Sequence, residues 1–203
     1  MPSQVVHVID DDVDVRQSLA FLLSTAGFAV RVHESAVAFL KVLPDAQPGC
    51  VVTDIRMPEM DGLELQRRLV ELKAGFPVIV MTGHGDVSMA VEAMKAGAVD
   101  FIEKPFDDET LLSAIRSALD SHSRNRERED RIVAIRKRLD ALSGRERDVL
   151  RGLAAGKANK VIAYDLGISA RTVEVYRANV MTKMQADSLS ELVRMVLMAE
   201  GES

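Results

Sequence analysis

The stretch Cys50-Val-Val-Thr-Asp-Ile-Arg-Met-Pro-Glu-Met-Asp-Gly62 begins as an apolar run, stops at the carboxylate of Asp54, and continues as a loop punctuated by proline and glycine. A run of β-branched residues that delivers one Asp to the carboxyl end of a strand is typical of an open α/β sheet. A lone Asp in this position is also typical of a helix cap or a turn. The surrounding sequence has to decide between a reactive carboxylate and a capping one.

Short apolar runs alternate with helical patterns on both sides of this stretch. The apolar runs, each predicted to be a strand, begin at Val5, Ala29, Cys50, Phe76 and Phe101. A helical pattern follows each run, and the last extends from about Asp108 past Leu119. Asp86 is expected to cap the fourth helix. Strand–helix alternation repeated five times predicts a doubly wound, flavodoxin-like parallel sheet of five strands with helices on both faces.

The composition is typical of a globular protein, since 47% of the 203 residues are hydrophobic and 28% are charged. No apolar run approaches the ~20 residues that a bilayer span needs. The polar start Met1-Pro-Ser-Gln lacks the basic flank of a secretory signal. The single cysteine, Cys50, lies inside an apolar run and is expected to be a buried packing residue. We therefore expect a cytoplasmic protein.

The charges are distributed unevenly along the chain. Residues 1–121 carry 10 Lys+Arg and 19 Asp+Glu, a net of −9, whereas residues 122–203 carry 16 and 12, a net of +4. An acidic first part joined to a mildly basic second part predicts two domains with different partners. The basic excess alone is a weak indication of nucleic-acid binding, because a solvated surface explains it equally well.

Polar residues fall where the predicted strands end. They are Asp10 and Asp11 after the first strand, Asp54 after the third, Thr82 after the fourth and Lys104 after the fifth. Because the carboxyl ends of parallel strands gather at one edge of the sheet, these side chains are expected to lie together. Three carboxylates repel one another unless a cation neutralises them, and oxygen ligands suit a hard ion, Mg²⁺ or else Mn²⁺. The four histidines, at positions 7, 33, 84 and 122, show no metal-ligand spacing and are expected to be structural or solvated.

Such a cluster has a definite chemistry. A carboxylate beside Mg²⁺ can attack phosphorus as a nucleophile and form an aspartyl-phosphate. A fixed ammonium such as that of Lys104 would neutralise charge on the transferring group, and a hydroxyl such as that of Thr82 could take its remaining oxygen. Each residue alone is a weak indication, but five of the right types at four strand ends are a strong one.

These residues resemble the receiver domain of two-component response regulators over residues 4–122. The motifs that carry the resemblance are Asp10-Asp11, Asp54 with Met57-Pro58 and Asp61-Gly62, Thr82-Gly83 and Lys104-Pro105. The resemblance implies that Asp54 is the phospho-acceptor and that no separate organic cofactor is bound. It also implies that Mg²⁺ is held by Asp11, Asp54 and the backbone carbonyl of Arg56, with help from Asp10.

The resemblance assigns further roles around this site. Lys104 would contact the phosphoryl group and precede a cis proline, and Thr82 would move toward the phosphate. Phe101 would be the aromatic residue that rotates in response, although a core aromatic is an equally good interpretation of its residue type. Val91 and Lys95 would belong to a face that rearranges and dimerises. For Val91, and for Met94 beside it, helical spacing alone favours packing in the core.

A charged segment follows the first domain. Residues 123–139 are rich in charges of both signs and contain no Pro or Gly, which predicts a solvated, helical linker. Ile132, Ile135, Leu139 and Leu142 recur at helical spacing, so apolar contact is expected to resume before the second domain. The predicted organisation is therefore a receiver domain at 1–122, a linker at 123–139 and a second domain at 140–203.

The second domain reads as four helices in about 60 residues. Ser143 and Ser188 each start a capping box, and Ser169 is expected to cap the third helix after a Gly-containing turn. A short turn between the second and third helices is typical of a helix-turn-helix. On the third helix, Val173, Tyr176, Val180 and Met184 share one face, which is expected to pack inward.

Residues 142–197 resemble the LuxR/NarL-type DNA-binding domain over nearly their whole length. The resemblance implies that Glu174, Val175 and Ala178 reach base edges in the major groove. The residues that it makes candidates for contacts with the DNA backbone are Lys157, Asn159, Lys160, Arg171, Thr172, Arg177 and Lys183. Relatives commonly carry Lys at the position of Glu174, and an acidic residue there could accept a hydrogen bond from a cytosine amino group instead. A helical bundle that uses its third helix for protein contact remains the alternative.

The two resemblances together indicate a transcription regulator of a two-component system rather than an enzyme. A histidine kinase would phosphorylate Asp54, and the protein would dimerise, bind promoter DNA and activate transcription by RNA polymerase. The whole chain is similar to the NarL/FixJ family, and the stretches VIDDD, VVTDIRMPEMDG and MTGHGDVSMAVEAMKAGA indicate its nitrogen-fixation regulators, whose partner is an oxygen-sensing haem kinase and whose target genes are switched on under low oxygen.

Three rival functions fit the sequence less well. A phosphatase-like hydrolase would use Asp54 as a turnover nucleophile, but it would want a second general acid near Asp54. No such acid is evident, and the position two residues after Asp54 is occupied by Arg56. A flavin-binding module would need a Gly/Ser/Thr-rich phosphate loop after the first strand, which the sequence lacks. A small-molecule sensor joined to a helix-turn-helix would leave the acidic cluster without a role.

Overall fold

The computed structural model describes residues 5–83 and 87–201, and it divides into two compact units that meet in sequence between Arg124 and Asn125. His84 and the predicted helix cap Asp86 lie outside the described residues. No helix in the described ranges is long and apolar enough to span a membrane.

The first unit is a parallel sheet of five strands with helices between them. The strands are β1 (Val5–Ile9), β2 (Ala29–His33), β3 (Gly49–Asp54), β4 (Val78–Thr82) and β5 (Asp100–Glu103). The helices are α1 (Val13–Thr25), α2 (Ala36–Val42), α3 (Gly62–Glu71), α4 (Val87–Lys95) and α5 (Asp108–Asp140), with one 3₁₀ turn at Leu43–Asp45. The strand order is β2-β1-β3-β4-β5, and every pair is parallel, so the predicted doubly wound fold is confirmed.

Two hydrophobic layers cover the two faces of this sheet. On one face, Val8 of β1 and Val52 of β3 pack with Leu23 of α1 and Ile115 of α5. The opposite face has its own cluster, in which strand residues pack with α2, α3 and α4; its members include Ile9, Phe39, Val51, Leu65 and Ala93. Because β1, β3 and β4 are covered on both faces, they read as continuous apolar runs rather than as an alternating pattern.

The end of β3 requires a glycine on the neighbouring helix. A Cβ atom on Gly62 would lie 2.3 Å from the main-chain oxygen of Asp54, which is far inside van der Waals contact. The amide of Gly62 also donates to the carbonyl of Ile55 at 3.0 Å. The start of α3, capped by Asp61, therefore lies directly against the backbone that carries Asp54.

The second unit contains the end of α5 and four further helices, α6 (Gly144–Ala154), α7 (Asn159–Leu166), α8 (Ala170–Met184) and α9 (Leu189–Glu200). Ser143 forms the predicted capping box with Glu146, and Ser169 and Ser188 cap α8 and α9. Gly167 ends α7 in the left-handed conformation, at φ 63°, which favours glycine. The predicted helices and capping serines of the helix-turn-helix are thus confirmed, but the second capping box is not, because the Glu191 side chain accepts from the amide of Asp187 instead of that of Ser188.

The end of α5 is part of the second unit. Residues 125–139 of the predicted linker are helical and belong to this unit, where Ile132 and Ile135 are fully buried. Ile135 lies in the same hydrophobic cluster as Val149 of α6 and Val180 of α8. Apolar contact therefore resumes within the charged segment, as the spacing of its isoleucines predicted.

Candidate functional site

Two carboxylates and one ammonium meet at the carboxyl end of the sheet. Lys104 Nζ lies 2.5 Å from Asp54 Oδ1 and 3.3 Å from Asp10 Oδ2. Asp10 follows β1, Asp54 ends β3 and Lys104 follows β5, so the three meet because the strands are parallel and share this edge. The side chain of Asp10 is 3% exposed and that of Asp54 is 13% exposed, so Asp54 is the more accessible of the two carboxylates.

The backbone fixes both carboxylates. The amide of Arg56 donates to Asp54 Oδ2 at 2.7 Å, which leaves Oδ1 toward Lys104. The amide of Asp12 donates to Asp10 Oδ1 at 2.9 Å. The peptide bond between Lys104 and Pro105 is cis, as the resemblance implied. One oxygen of Asp54 is thus held by a main-chain amide, and the other is contacted by Lys104.

The electrostatics of this cluster are those of partly buried charges. Burial raises the pKa of Asp10, and the neighbouring charge of Asp54 adds to the rise, against the opposing effects of the Asp12 amide and Lys104. Burial alone would lower the pKa of Lys104, but its hydrogen bond and attraction to Asp54, together with Asp10, outweigh it and raise the pKa. Lys104 therefore stays cationic and partly balances two carboxylates.

The donor groups at this edge fit a hard divalent cation. Carboxylate and carbonyl oxygens are the ligands that Mg²⁺ prefers, and Asp11, which is exposed, follows Asp10 at the same edge. The described residues include no set of three His, Cys, Asp or Glu side chains close enough together to hold a metal ion. Lys104 thus contacts both Asp10 and Asp54. The expected cluster of three carboxylates, with Asp11 as its third member, is not formed among the described residues.

Thr82 and the face beyond it lie on the neighbouring strands. Thr82 is buried at the end of β4, where its carbonyl accepts from the amide of Lys104 at 2.8 Å. Phe101 on β5 is 43% exposed, and Val91 on α4 is 47% exposed. Lys95 and Met94 are also exposed, so the core alternative for Phe101, Val91 and Met94 is wrong. Among the described side chains of α4, Ala93 is buried in the core and the partly buried Met89 packs against it.

The sequence interpretation assigned no role to Asp12. Its side chain caps α1 by accepting from the amides of Asp14, at 2.8 Å, and Val15, at 3.3 Å. Arg16, one turn into that helix, donates to the carbonyl of Asp10 at 2.6 Å. An Asp directly before an apolar-periodic helix is a standard cap pattern and could have revealed this role.

His7 and His33 pack together in the first unit. His7 Nδ1 and His33 Nε2 are 3.2 Å apart, and their rings pack against Phe39. Burial, together with the neighbouring His7, lowers the pKa of His33 to about 4. The structural interpretation is therefore confirmed for these two residues.

The outer arc of α8 presents the residues expected at an interface with DNA. Val173, Val180 and Met184 are fully buried and Tyr176 packs against them, so the predicted inner face is confirmed. The outer arc, which is exposed, comprises Arg171, Glu174, Val175 and Ala178. Thr172 and Arg177 are partly exposed beside it. The arc is thus free of the core and combines cationic, anionic and apolar side chains, as base and phosphate contacts require.

The flanking lysines differ in their surroundings. Lys160 is exposed and Asn159 partly exposed at the start of α7, whereas Lys157 Nζ lies 2.8 Å from Asp165 Oδ2. Lys183 Nζ lies 2.7 Å from the buried carboxylate of Glu146. That hydrogen bond is the main cause that lowers the pKa of Glu146. Lys183 thus already has an anionic partner, which the sequence interpretation missed because the two residues are far apart in the chain.

Comparison with known proteins divides the chain into two matched domains, which are separated by residues 117–139. Residues 6–116 match the response regulator receiver domain, and residues 140–196 match bacterial regulatory proteins of the luxR family. The transcriptional regulatory protein FixJ of Azorhizobium caulinodans is 58% identical over 200 residues, which cover 98% of this chain and 95% of that protein. FixJ of Rhizobium meliloti is 57% identical over 197 residues, 97% of each chain. The crystal structure of full-length FixJ from B. japonicum is 52% identical, covers 100% of both chains and superposes with a TM-score of 0.64.

Proposed function

The chain belongs to the FixJ-type response regulators, which join a receiver domain to a LuxR-type DNA-binding domain, and we propose that Asp54 is its phospho-acceptor. The family makes it a transcription regulator with a histidine kinase and promoter DNA as partners, so the hydrolase and small-molecule-sensor alternatives are wrong. The observation that carries the proposal is the position of Asp54, whose carboxylate ends β3 within 2.5 Å of Lys104 and beside the buried Asp10.

The chemistry follows from the groups around Asp54. A carboxylate oxygen of Asp54 forms a bond to phosphorus, while the bond from phosphorus to the donor atom breaks and its electron pair leaves with the donor. Lys104 supplies positive charge to the oxygens of the transferring group, and Thr82 donates to one of them once the group has arrived. Neutralising these charges is what allows an anionic nucleophile to approach an anionic phosphoryl group.

Mg²⁺, or Mn²⁺ in its place, fits the oxygen donors at this edge. The residues that would hold it are Asp10, Asp11, Asp54 and the backbone carbonyl of Arg56. The ion supplies further charge neutralisation for the transferring group. The buried Asp10, whose pKa is raised by burial, becomes less costly to ionise when a divalent cation lies beside it.

The exposed face around β5 and α4 is proposed to carry the response to phosphorylation. Phe101, Val91 and Lys95 are all exposed there, so an apolar surface with one cation is available for a second copy of the chain. A homodimer would bind two half-sites of DNA at once, which makes binding depend steeply on phosphorylation.

The outer arc of α8 is proposed to read the DNA. Glu174, Val175 and Ala178 would approach base edges, and Glu174 would accept from a cytosine amino group. The proposed backbone contacts are Lys157, Asn159, Lys160, Arg171, Thr172, Arg177 and Lys183. Lys157 and Lys183 would have to exchange the carboxylates of Asp165 and Glu146 for phosphate, so the other five contacts carry more of this proposal.

The biological setting is inferred from the relatives named FixJ and from the resemblance to nitrogen-fixation regulators. The kinase partner would be the oxygen-sensing haem kinase FixL, and RNA polymerase would be engaged at promoters of nitrogen-fixation regulatory genes under low oxygen. Because its DNA partner is the bacterial chromosome, the protein would act in the cytoplasm.

The proposal is tested with full-length protein, acetyl phosphate and Mg²⁺, by measuring mass in solution and binding to duplexes selected from a random pool. The wild type is expected to dimerise and to bind selected DNA more tightly when the phosphodonor is added. The Asp54→Asn variant keeps the shape of the side chain but not its charge, and it is expected to stay monomeric with an unchanged circular dichroism spectrum. Equal dimerisation of the two proteins would rule out Asp54 as the phospho-acceptor that controls dimerisation.

A further inference from the structure

Arg138, in the last turn of α5, contacts the end of α8. Its Nη1 donates to the main-chain carbonyl of Met184, the last residue of α8, at 3.1 Å. The last carbonyls of a helix have no partner within the helix. The carbonyls of Met181 and Thr182 are satisfied by the amides of Ala186 and Gln185, and Arg138 takes that of Met184. A cation at this end is also favoured by the helix dipole.

A second contact holds the same turn of α8. Lys183, next to Met184, forms its ion pair with Glu146, whose side chain is only 5% exposed. The same carboxylate oxygen accepts from the amide of Ser143 at 2.7 Å, so Glu146 is fixed to the first turn of α6. The final turn of α8 is therefore tied to the end of α5 and to the start of α6.

The orientation of α8 matters because base contacts are short and directional. A helix of 15 residues is about 22 Å long, so a tilt of about 5° at one end moves the other end by about 2 Å. Glu174 and Val175 lie in the half of α8 that is remote from Arg138, and Ala178 lies near the middle of the helix. A contact that fixes the last turn thus limits how far these side chains can move.

We propose that Arg138 is a positioning residue for sequence-specific DNA reading, acting through the carbonyl of Met184 on the orientation of α8. This inference rests on the proposed function, in which α8 reads the bases. Arg138 itself precedes the part of the chain that matches the luxR family, residues 140–196. It lies instead on the helix that continues from the first unit, so the segment that joins the two units in sequence also holds the reading helix.

The test separates positioning from charge. Full-length protein, with acetyl phosphate and Mg²⁺ present, is used to select a preferred duplex from a random pool. Its Kd is then measured on that duplex and on a scrambled duplex of the same length. The variants are Arg138→Met, which removes the donor, Arg138→Lys, which retains a cationic donor, and Lys137→Met, which removes the same charge from the adjacent exposed position.

Arg138→Met is expected to weaken binding to the selected duplex about five- to tenfold more than Lys137→Met does, since it removes a charge-assisted hydrogen bond that is only partly buried. On the scrambled duplex, where phosphate attraction dominates, the two variants are expected to be equal. Arg138→Lys should restore most of the selective binding.

Three results would overturn the inference while leaving the proposed function intact: equal losses for Arg138→Met and Lys137→Met on the selected duplex, an equal loss for Arg138→Met on both duplexes, or no recovery with Arg138→Lys. Retained binding to the scrambled duplex shows that a variant is folded. If the wild type prefers no sequence in the pool, α8 does not read bases. That result would contradict the proposed function itself, not only the role of Arg138.

Discussion

Asp10 is a charged group kept almost out of contact with water. Its carboxylate accepts a hydrogen bond from the amide of Asp12 and faces the ammonium of Lys104. Burial nevertheless raises the pKa of Asp10. For an acid whose pKa is raised by folding, the ionised form costs stability above the folded-state pKa, and this cost fades as the pH falls toward the unfolded value. The proposed metal and phosphate site would therefore carry a stability cost, which its function would require.

Asp10→Asn should stabilise the protein, because it keeps the acceptor for the Asp12 amide and removes the buried charge. In EDTA at pH 8 we expect the Tm of the first unit to rise by about 2–4 °C. The gain should shrink as the pH is lowered through the folded-state pKa of Asp10. Thermal melts followed by circular dichroism measure both effects.

The matched control for this prediction is Asp11→Asn, which changes the same charge at the adjacent, exposed position. Its Tm should stay within about 1 °C of the wild type. A lower Tm for Asp10→Asn than for Asp11→Asn would show that the ionised carboxylate stabilises the fold, and the cost assigned to its burial would be wrong.

Individual residues of the site were predictable where chain topology alone brings them together. Asp10, Asp54, Thr82 and Lys104 each follow or end a parallel strand, and such ends share one edge. Side-chain pairs between distant segments were not predictable in this way. The pairing of Lys183 with Glu146 depends on how α8 packs on α6, which periodicity does not reveal.

At the scale of single elements, α4 shows what periodicity leaves open. Helical spacing identifies Val91 and Met94 as near neighbours on one surface, but it does not say which surface meets the sheet. Among the described side chains of α4, Ala93 and Met89 make the core contact, whereas Val91 and Met94 are exposed. The spacing therefore favoured the wrong face for Val91 and Met94, and this exposed face is the one that we propose to dimerise.

The end of α5 carries two core residues within a charged segment, and their helical spacing was the only sign of them in the sequence. Ile132 and Ile135 are 1% and 2% exposed, and Arg136 donates to the carbonyl of Ala199 in α9 at 3.1 Å. Burying each isoleucine contributes about 1.5–3 kcal/mol. This segment therefore stabilises the second unit as well as joining it to the first.

A fragment that begins at residue 141 should be less stable than one that begins at residue 125. We expect its free energy of unfolding to be lower by at least about 3 kcal/mol, a large part of what a small domain has. Urea unfolding of the two fragments measures the difference. Val133→Ser in the longer fragment is the control, since Val133 is 64% exposed and should contribute little. Equal stability of the two fragments would contradict a structural role for residues 125–140.

At the scale of the whole molecule, an acidic unit is joined to a basic one. If the first unit inhibits DNA binding before phosphorylation, a fragment of residues 125–203 should bind DNA more tightly than the intact, unphosphorylated chain. The charge difference alone favours the same result, because the first unit repels phosphates and the second attracts them. Kd values at about 0.05 M and 0.3 M salt separate the two causes, since high salt screens repulsion. A fragment that binds no better than the intact chain would rule out inhibition.

The regulatory cycle that we propose for the whole chain depends on Asp54 accepting a phosphoryl group, and this step can be measured on the intact protein. The full chain is incubated with acetyl phosphate and Mg²⁺, and mass spectrometry of the intact protein and of its peptides locates the adduct. We expect one phosphoryl group per chain, confined to the peptide that carries Asp54, and none in Asp54→Asn or in EDTA. An adduct on another residue, or one that forms equally in Asp54→Asn, would show that Asp54 is not the phospho-acceptor.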